Sequence, residues 1–275
     1  MAGQLGIASR NARNHLAQTQ TRLNKRVNTI ASGSRINQAA DDPAGMTVAT
    51  TMETSQRLQK QAIRNANDGI SVIQKAETSL ETIGGLISRM RRLAVHAASD
   101  TSASEDKLML DSEYKNMIKD IRRIASISTY NDHNLLKGGG DFSIQIGEKQ
   151  SDVFNIDLNS IAATLGALDL TLGVQSMLDG LGEFKDNTID ALQKAERLVS
   201  TRRSYLGALH NRMGNIISKA MTNNENLAQG SSVISNADYA HESAAVTKDM
   251  VLQDAGLAAV SQARSITSSI MSILT

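Results

Sequence analysis

The sequence predicts a mainly α fold: long antiparallel helices form a rod with a small β-hairpin, and the N- and C-terminal helices pair as a coiled coil. Three observations carry this reading. Apolar residues recur at three-four spacing over most of the 275 residues. Aromatics make up only 3%, with no Trp and three Phe, so the interior must be built from Ala, Leu, Ile and Met, which suits packed helices better than a wide globular core. The single proline, Pro43, falls in SGSRINQAADDPAGMTVA (residues 32–49), where two glycines and an Asp pair interrupt an otherwise helix-forming run.

Over residues 3–30, Leu16, Leu23, Val27 and Ile30 step by seven, four and three. One narrow stripe cannot bury itself, so this helix needs a partner. At the interruption, Gly33 can take the left-handed conformation that ends a helix, and Asp42 can accept the first free N–H groups of the next. Pro43 then occupies the first helical position, where its missing N–H costs nothing. The second run reaches about residue 98 on a stripe of Ala66, Ile70, Ile73, Leu80, Ile83, Ile87, Met90 and Ala94. Some fifty helical residues at 1.5 Å rise span roughly 80 Å, too long for one compact globule. Gly69 and the pair Gly84 and Gly85 each weaken that helix by roughly 1 kcal/mol and mark close contact or bending.

The polar turn SDTSAS (residues 99–104) leads to a third helix, with Ser104 expected as its N-cap and Glu105 and Asp106 in its first turn. Leu110, Tyr114, Met117, Ile121 and Ile124 share its inner face. After Gly138 the period changes to two: Phe142, Ile144 and Ile146, then Phe154, Ile156 and Leu158, alternate with polar residues around a turn at 147–151, a β-hairpin. Residues 162–182 read as an irregular connection. A fourth helix over about 183–228 carries Leu192, Val199, Leu206, Leu209, Met213, Ile216, Ala220 and Leu227. A loop is expected at 230–237, before a fifth helix with Val246, Met250, Leu257, Val260, Ile270 and Ile273 on its apolar side. The plan is nested, first helix with last and second with fourth. Both chain ends then lie together on amphipathic helices that can order by packing against copies of the same chain.

The remaining chemistry is sparse. With 29 basic and 28 acidic residues there is no strong field for nucleic acid, and no apolar run reaches the ~18 residues of a membrane span, so neither nucleic acid nor membrane insertion is expected. Residues 1–18 lack the apolar segment of a cleavable signal peptide. There are no cysteines, and His15, His96, His133, His210 and His241 never pair at ligand spacing; His241-Glu242 is followed by SAA rather than the second His of a zinc-protease helix. GGG at 138–140 lacks the Lys-Ser/Thr of a P-loop. No catalytic, metal or cofactor site is assigned, and no enzyme activity is expected. The basic clusters at Arg89, Arg91 and Arg92, at Arg122 and Arg123, and at Arg202 and Arg203 read first as solvated faces with i,i+4 pairs.

The motifs, taken in order, resemble one family. SGSRINQAADDPAG at the joint, RNANDGISVIQKAE (64–77), RMRRLAVHAAS (89–99), TYNDHNLLKG (129–138), IQIG with FNIDLNSI (144–147, 154–161), LGALHNRM (206–213), NADYAHE (236–242) and VLQDAGLAAVSQA (251–263) are similar to the blocks of bacterial flagellins, collinear over nearly the whole chain. Ala40 and Pro43 depart from the commoner Lys and Ala, residues 1–15 match poorly, and RSITSS (264–269) lacks a proline often found there. The resemblance implies a short-form, non-enzymatic subunit of the helical flagellar filament, secreted by the flagellar export system without a cleaved signal and used for motility. It implies terminal helices 1–34 and 236–275 as an inner-tube core and 35–44, with Gly33, Arg35, Asp41, Asp42 and Pro43, as a spoke joint. Residues 45–137 and 183–235 would form a helical rod domain carrying the hairpin at 138–161, and 162–182 would be a short connection where longer relatives insert variable domains.

The self-assembly residues are expected to be Leu16, Leu23, Val27, Ile30, Val246, Met250, Leu257, Val260, Ile270 and Ile273. Implied partners are further copies of the chain, an export chaperone, and filament-cap and hook-junction proteins. Arg89, Leu93 and Glu113 match positions through which some flagellins are recognised by the vertebrate Toll-like flagellin receptor. A hook-filament junction protein and a flagellin-like cell-surface polysaccharide-binding protein are the alternatives; the second is disfavoured by the lack of clustered aromatics for sugar stacking.

Overall fold

The structure, a computed structural model, describes residues 2–99, 102–138, 141–162, 176–179, 184–185 and 187–274, with the side chains of 2–6, 8, 9 and 266–274 outside the description. The described residues form helices α1 (Ala2–Ser32), α2 (Pro43–Ala97) and α3 (Ser104–Ile127). Strands β1 (Thr129–Tyr130), β2 (His133–Asn134), β3 (Phe142–Gln145) and β4 (Val153–Ile156) follow, then helices α4 (Asn187–Ser235) and α5 (Tyr239–Leu274). The chain divides into two compact units, one made of Met1–Gln56 with Glu225–Thr275 and the other of Arg57–Asn224.

In the second unit, the three-four stripe of α2 becomes a dry interface: Ile73, Leu80, Ile83, Ile87, Met90 and Ala94 are fully buried. Tyr114, Met117 and Ile121 of α3 close it on one side, and Leu192, Ala195, Val199, Leu206 and Met213 of α4 on the other. Burial and the nearby Asp111 charge push the Tyr114 hydroxyl up to about 12. Salt links Arg91–Glu196 (2.7 Å) and Arg203–Glu81 (3.6 Å) tie α4 to α2, and Arg89–Glu113 ties α3 to it. Three of the expected basic positions thus make cross-helix pairs, while Arg123 pairs along its own helix with Asp120.

The hairpin pairs Phe142 with Ile156 and Ile144 with Phe154, which turns Ile144, Phe154 and Ile156 inward as the alternation requires. Gly69 is what lets it seat. A Cβ there would collide with the Ile144 side chain and come within 3.0 Å of Met213. The Asn65 side-chain amide donates to the Gln145 carbonyl (3.0 Å), and the Arg212 guanidinium lies 5.2 Å from the Phe154 ring centre.

Three sequence expectations change. Ala103, not Ser104, stands at the N-cap of α3 without a side-chain cap bond, so Ser104 is the first helical residue. The fourth helix starts at Asn187 and continues through Gly230 to Ser235, which removes most of the expected loop at 230–237. At Gly230 a Cβ would lie 3.3 Å from the Met52 sulfur, so the close approach of α2 and α4 outweighs the weak helix propensity of glycine. An additional hairpin, β1–β2, occupies TYNDHN, with Asn131 and Asp132 both at positive φ (47 and 65). Asn134 then caps α3: its amide donates to the carbonyls of Ala125 (3.2 Å) and Ser126 (3.0 Å) while its oxygen accepts the Leu136 N–H (3.0 Å). Finally, the connection at 162–182 lies largely outside the described residues.

The described end of that connection is anchored by a buried carboxylate. Asp111 Oδ1 accepts the Met177 N–H (2.6 Å) and the Ser176 hydroxyl (2.9 Å), and Oδ2 accepts Lys115 Nζ (2.7 Å). Leu178 forms a bridge with Phe184, and the Lys185 N–H donates to the Met177 carbonyl (2.9 Å). Replacing Asp111 with Ala strands buried donors and should lower the unfolding free energy by about 2–3 kcal/mol. Lys115→Ala, which removes only a half-exposed partner, should cost under about 1 kcal/mol. Denaturant titration of the two variants checks the contrast.

Candidate assembly surface

The joint between α1 and α2 is built by short-range caps and one long-range tie. Gly33 ends α1 at φ +69, the left-handed conformation expected of it. Ser34 then bridges Asn236, the Arg35 N–H donates to the Ser235 carbonyl (2.7 Å), and the Ala237 N–H to the Gly33 carbonyl (3.0 Å). The Arg35 guanidinium donates through Nε (3.2 Å) and Nη2 (2.7 Å) to the Ile234 carbonyl, a cation on the last turn of α4. Asp42 accepts the Gly45 N–H (2.9 Å) and Pro43 begins α2. A Cβ on Gly45 would collide with the Asp42 carboxylate, so this glycine makes room for the cap.

Asp41 folds the joint back onto α1. Its Oδ1 receives Lys25 Nζ at 2.7 Å, and its Oδ2 receives the N–H groups of Asn37 and Gln38 at 3.1 Å each. The Lys25 hydrogen bond, with these two backbone N–H groups, holds the Asp41 carboxyl below the usual carboxylate range.

Helices α1 and α5 pair along one seam. On α1 it comprises Leu16, Thr19, Leu23, Arg26 and Ile30; on α5 it comprises Glu242, Val246, Asp249, Gln253, Gly256, Val260 and Ala263. Both sets alternate steps of three and four, the stepping of a coiled coil. Much of the seam is nonetheless polar. Asp249 is buried and receives Arg26 Nε (3.0 Å), with Arg22 Nε at 3.7 Å; Arg26 Nη1 also donates to Glu242 (2.9 Å). Gln253 donates to Gln20 (2.6 Å), and a Cβ on Gly256 would lie 3.2 Å from Leu16 Cδ1, a close helix approach.

The expected assembly residues therefore divide. Leu16, Leu23, Ile30, Val246 and Val260 are wholly or partly buried, whereas Val27, Met250 and Leu257 stand on the flanks at 45%, 51% and 49% exposure. Val251 and Leu252, which sequence spacing did not single out, are exposed beside Met250. The side chains of Ile270 and Ile273 lie outside the described residues. The polar seam residues Thr19, Arg26, Glu242, Asp249 and Gln253 were also missed, because hydrophobic spacing cannot register them; the three-four stepping that includes them is the signal that could have found them. Of the receptor-type residues, Arg89 and Glu113 form an exposed ion pair and Leu93 is partly buried on the same helix as Arg89.

No group of three metal-ligating side chains occurs among the described residues, and none of the described helices is long and apolar enough to cross a membrane. One prediction concerns the joint. Because the folded-state value of Asp41 is depressed, its contribution is fully present above its ordinary value of 3.8 and is lost as pH falls through the lower folded value. A carboxyl-carbon NMR titration should show Asp41 protonating below 3.8, and Lys25→Ala should move that titration upward.

Comparison with known proteins gives the same answer along the whole chain. Residues 6–140 match the bacterial flagellin N-terminal helical region and residues 189–274 the bacterial flagellin C-terminal helical region. A flagellin of Halalkalibacterium halodurans is 32% identical over 97% of this chain and 96% of its own. Flagellin FlaB2 of Treponema pallidum is 32% identical over 94% of each chain. Among solved structures, one assigned to a flagellar hook-associated protein of Vibrio parahaemolyticus shares the fold at TM-score 0.57 and 14% identity, covering 70% of this chain and 99% of that one. The chain belongs to the bacterial flagellins, the non-enzymatic structural subunits that polymerise into the flagellar filament, here in a short form without large outer domains.

Proposed function

We propose that the α1/α5 pair is the polymerising surface of the subunit and that its apolar flanks are completed by neighbouring copies. The observation carrying this reading is the inverted seam: Asp249 is buried between the helices while Val27, Met250 and Leu257 remain about half exposed. A lone subunit leaves that apolar area in water. Covering it in a polymer contributes about 1 kcal/mol per residue, offset by the cost of ordering the helices. Contacts that repeat without closing into a ring give an open helical filament.

On this reading residues 1–34 and 236–275 form the inner tube, with Ile270 and Ile273 extending the contact, and 35–44 is the spoke to an outer layer built from 45–137, 138–161 and 183–235. The short segment 162–182 stands where longer relatives carry variable domains. Family membership further supports secretion through the flagellar export channel, with an export chaperone, a filament cap and hook-junction proteins as partners. No catalytic role is assigned.

Removing residues 1–30 or 240–275 should leave a soluble subunit whose second unit melts normally but which forms no filaments. Electron microscopy of purified truncations decides; long filaments from either would contradict the assignment of these helices. A separate role as a ligand of the vertebrate Toll-like flagellin receptor rests on the Arg89–Glu113 pair beside Leu93. In a reporter-cell assay, Arg89→Ala should weaken signalling by about tenfold, since an Arg at a recognition centre commonly accounts for 1–2 kcal/mol of binding.

A further inference from the structure

Hydrophobic spacing alone puts Leu16, Leu23, Val27 and Ile30 against Val246, Met250, Leu257 and Val260, a wholly apolar seam. The observed seam is a different one. It substitutes Arg26 for Val27 and Asp249 for Met250, in each case the immediately preceding residue. Neighbouring residues on a helix stand about 100° apart, so a roll of each helix by less than one residue step would bring Val27 and Met250 inward and turn Arg26 and Asp249 out. The hydrophobic effect favours that roll. Something must oppose it.

We propose that Arg26 is a positioning residue for assembly: paired with Asp249 and Glu242, it holds α1 and α5 in the rotation that keeps the apolar flank facing outward. The inference rests on the assembly reading above and names the device that maintains the surface. Three features of the cluster support it. Asp249 is 4% exposed, and the roll would take its carboxylate away from the guanidinium that compensates its burial. Arg26 spans two seam positions of α5 on either side of Val246, reaching Asp249 through Nε (3.0 Å) and Glu242 through Nη1 (2.9 Å), so its planar fork fixes rotation as well as separation. The ties at Ser34, Arg35 and Ala237 set the register at the joint, but they act on backbone beyond the helix ends and leave the rotation farther along α1 and α5 to side chains. A polar group at a coiled-coil seam position specifying one arrangement at some cost in stability is an established physical device.

The absence of cysteine from the sequence makes the rotation directly measurable. A Cβ built on Gly256 lies 3.9 Å from Leu16 Cβ, within the range of a disulfide, so Leu16→Cys with Gly256→Cys reports the observed rotation when oxidised glutathione is added. The cross-link is read on soluble subunits and on seeded filaments of the full chain. In the double-cysteine background, Arg26→Ala should reduce intrasubunit cross-linking by about fivefold and raise the critical concentration for elongation by about tenfold. Arg26→Lys, which keeps the charge but not the fork, should restore at most part of both, and melting of the second unit should not change in either variant. Cross-linking and elongation of Arg26→Ala equal to the parent would overturn the proposal, as would full restoration of both by Arg26→Lys, which has no fork. A parent chain that cross-links normally yet never elongates from seeds would count against the assembly reading alone, while the cross-linking comparison would still decide the role of Arg26.

Discussion

Two helices facing each other can bury only one stripe apiece, and in α1 and α5 five of the twelve positions on those stripes are polar. The pairing of Arg26 with Asp249 and Glu242 occupies positions that Val27 and Met250 could fill by a small roll. The subunit therefore forgoes part of the hydrophobic gain open to it within one chain. What it keeps is an apolar surface that only another molecule can cover. On the proposed reading this inversion links local chemistry to polymerisation, since the residues that lower the stability of an isolated helix pair would be the ones that leave a driving force for association.

The second unit follows the opposite rule. Ile73, Leu80, Ile83, Ile87 and Met90 are fully covered by α3, α4 and the hairpins, and Asp111 and Asn134 satisfy the backbone groups at two of its irregular points. Its main apolar stripe is covered internally, although Val95, Leu108, Met109 and Ile127 stand exposed at its surface, and ion pairs such as Arg91 with Glu196 tie its helices together. A polymer subunit needs both kinds of region. On the proposed reading, one is folded before assembly and the other is completed by it.

Much of this was legible in the sequence because each feature has a local cause. Three-four spacing located the helices, alternation at Phe142, Ile144, Phe154 and Ile156 located the larger hairpin, and Gly33, Asp42 and Pro43 marked the joint. The features that escaped are those decided by tertiary contact. Gly230 reads as a helix end until Met52 is seen against it. Strands of two residues have no period, and Asn131-Asp132 lacks the glycine that usually signals so tight a turn, so the β1–β2 hairpin was missed. On α5, spacing identified Val246, Met250, Leu257 and Val260 as one side, but it cannot say which of them face the subunit's own helix and which face a neighbour. That distinction depends on Asp249, a residue hydrophobic patterning assigns to solvent.

The most direct measurement is a helical reconstruction of the assembled filament by cryo-electron microscopy at side-chain resolution. The account predicts Arg26 paired with Asp249 inside each subunit, and Val27, Met250 and Leu257 packed against side chains of neighbouring subunits. A reconstruction in which these three residues fill the intrasubunit seam, or point to solvent while the contacts between subunits are made elsewhere, would contradict it.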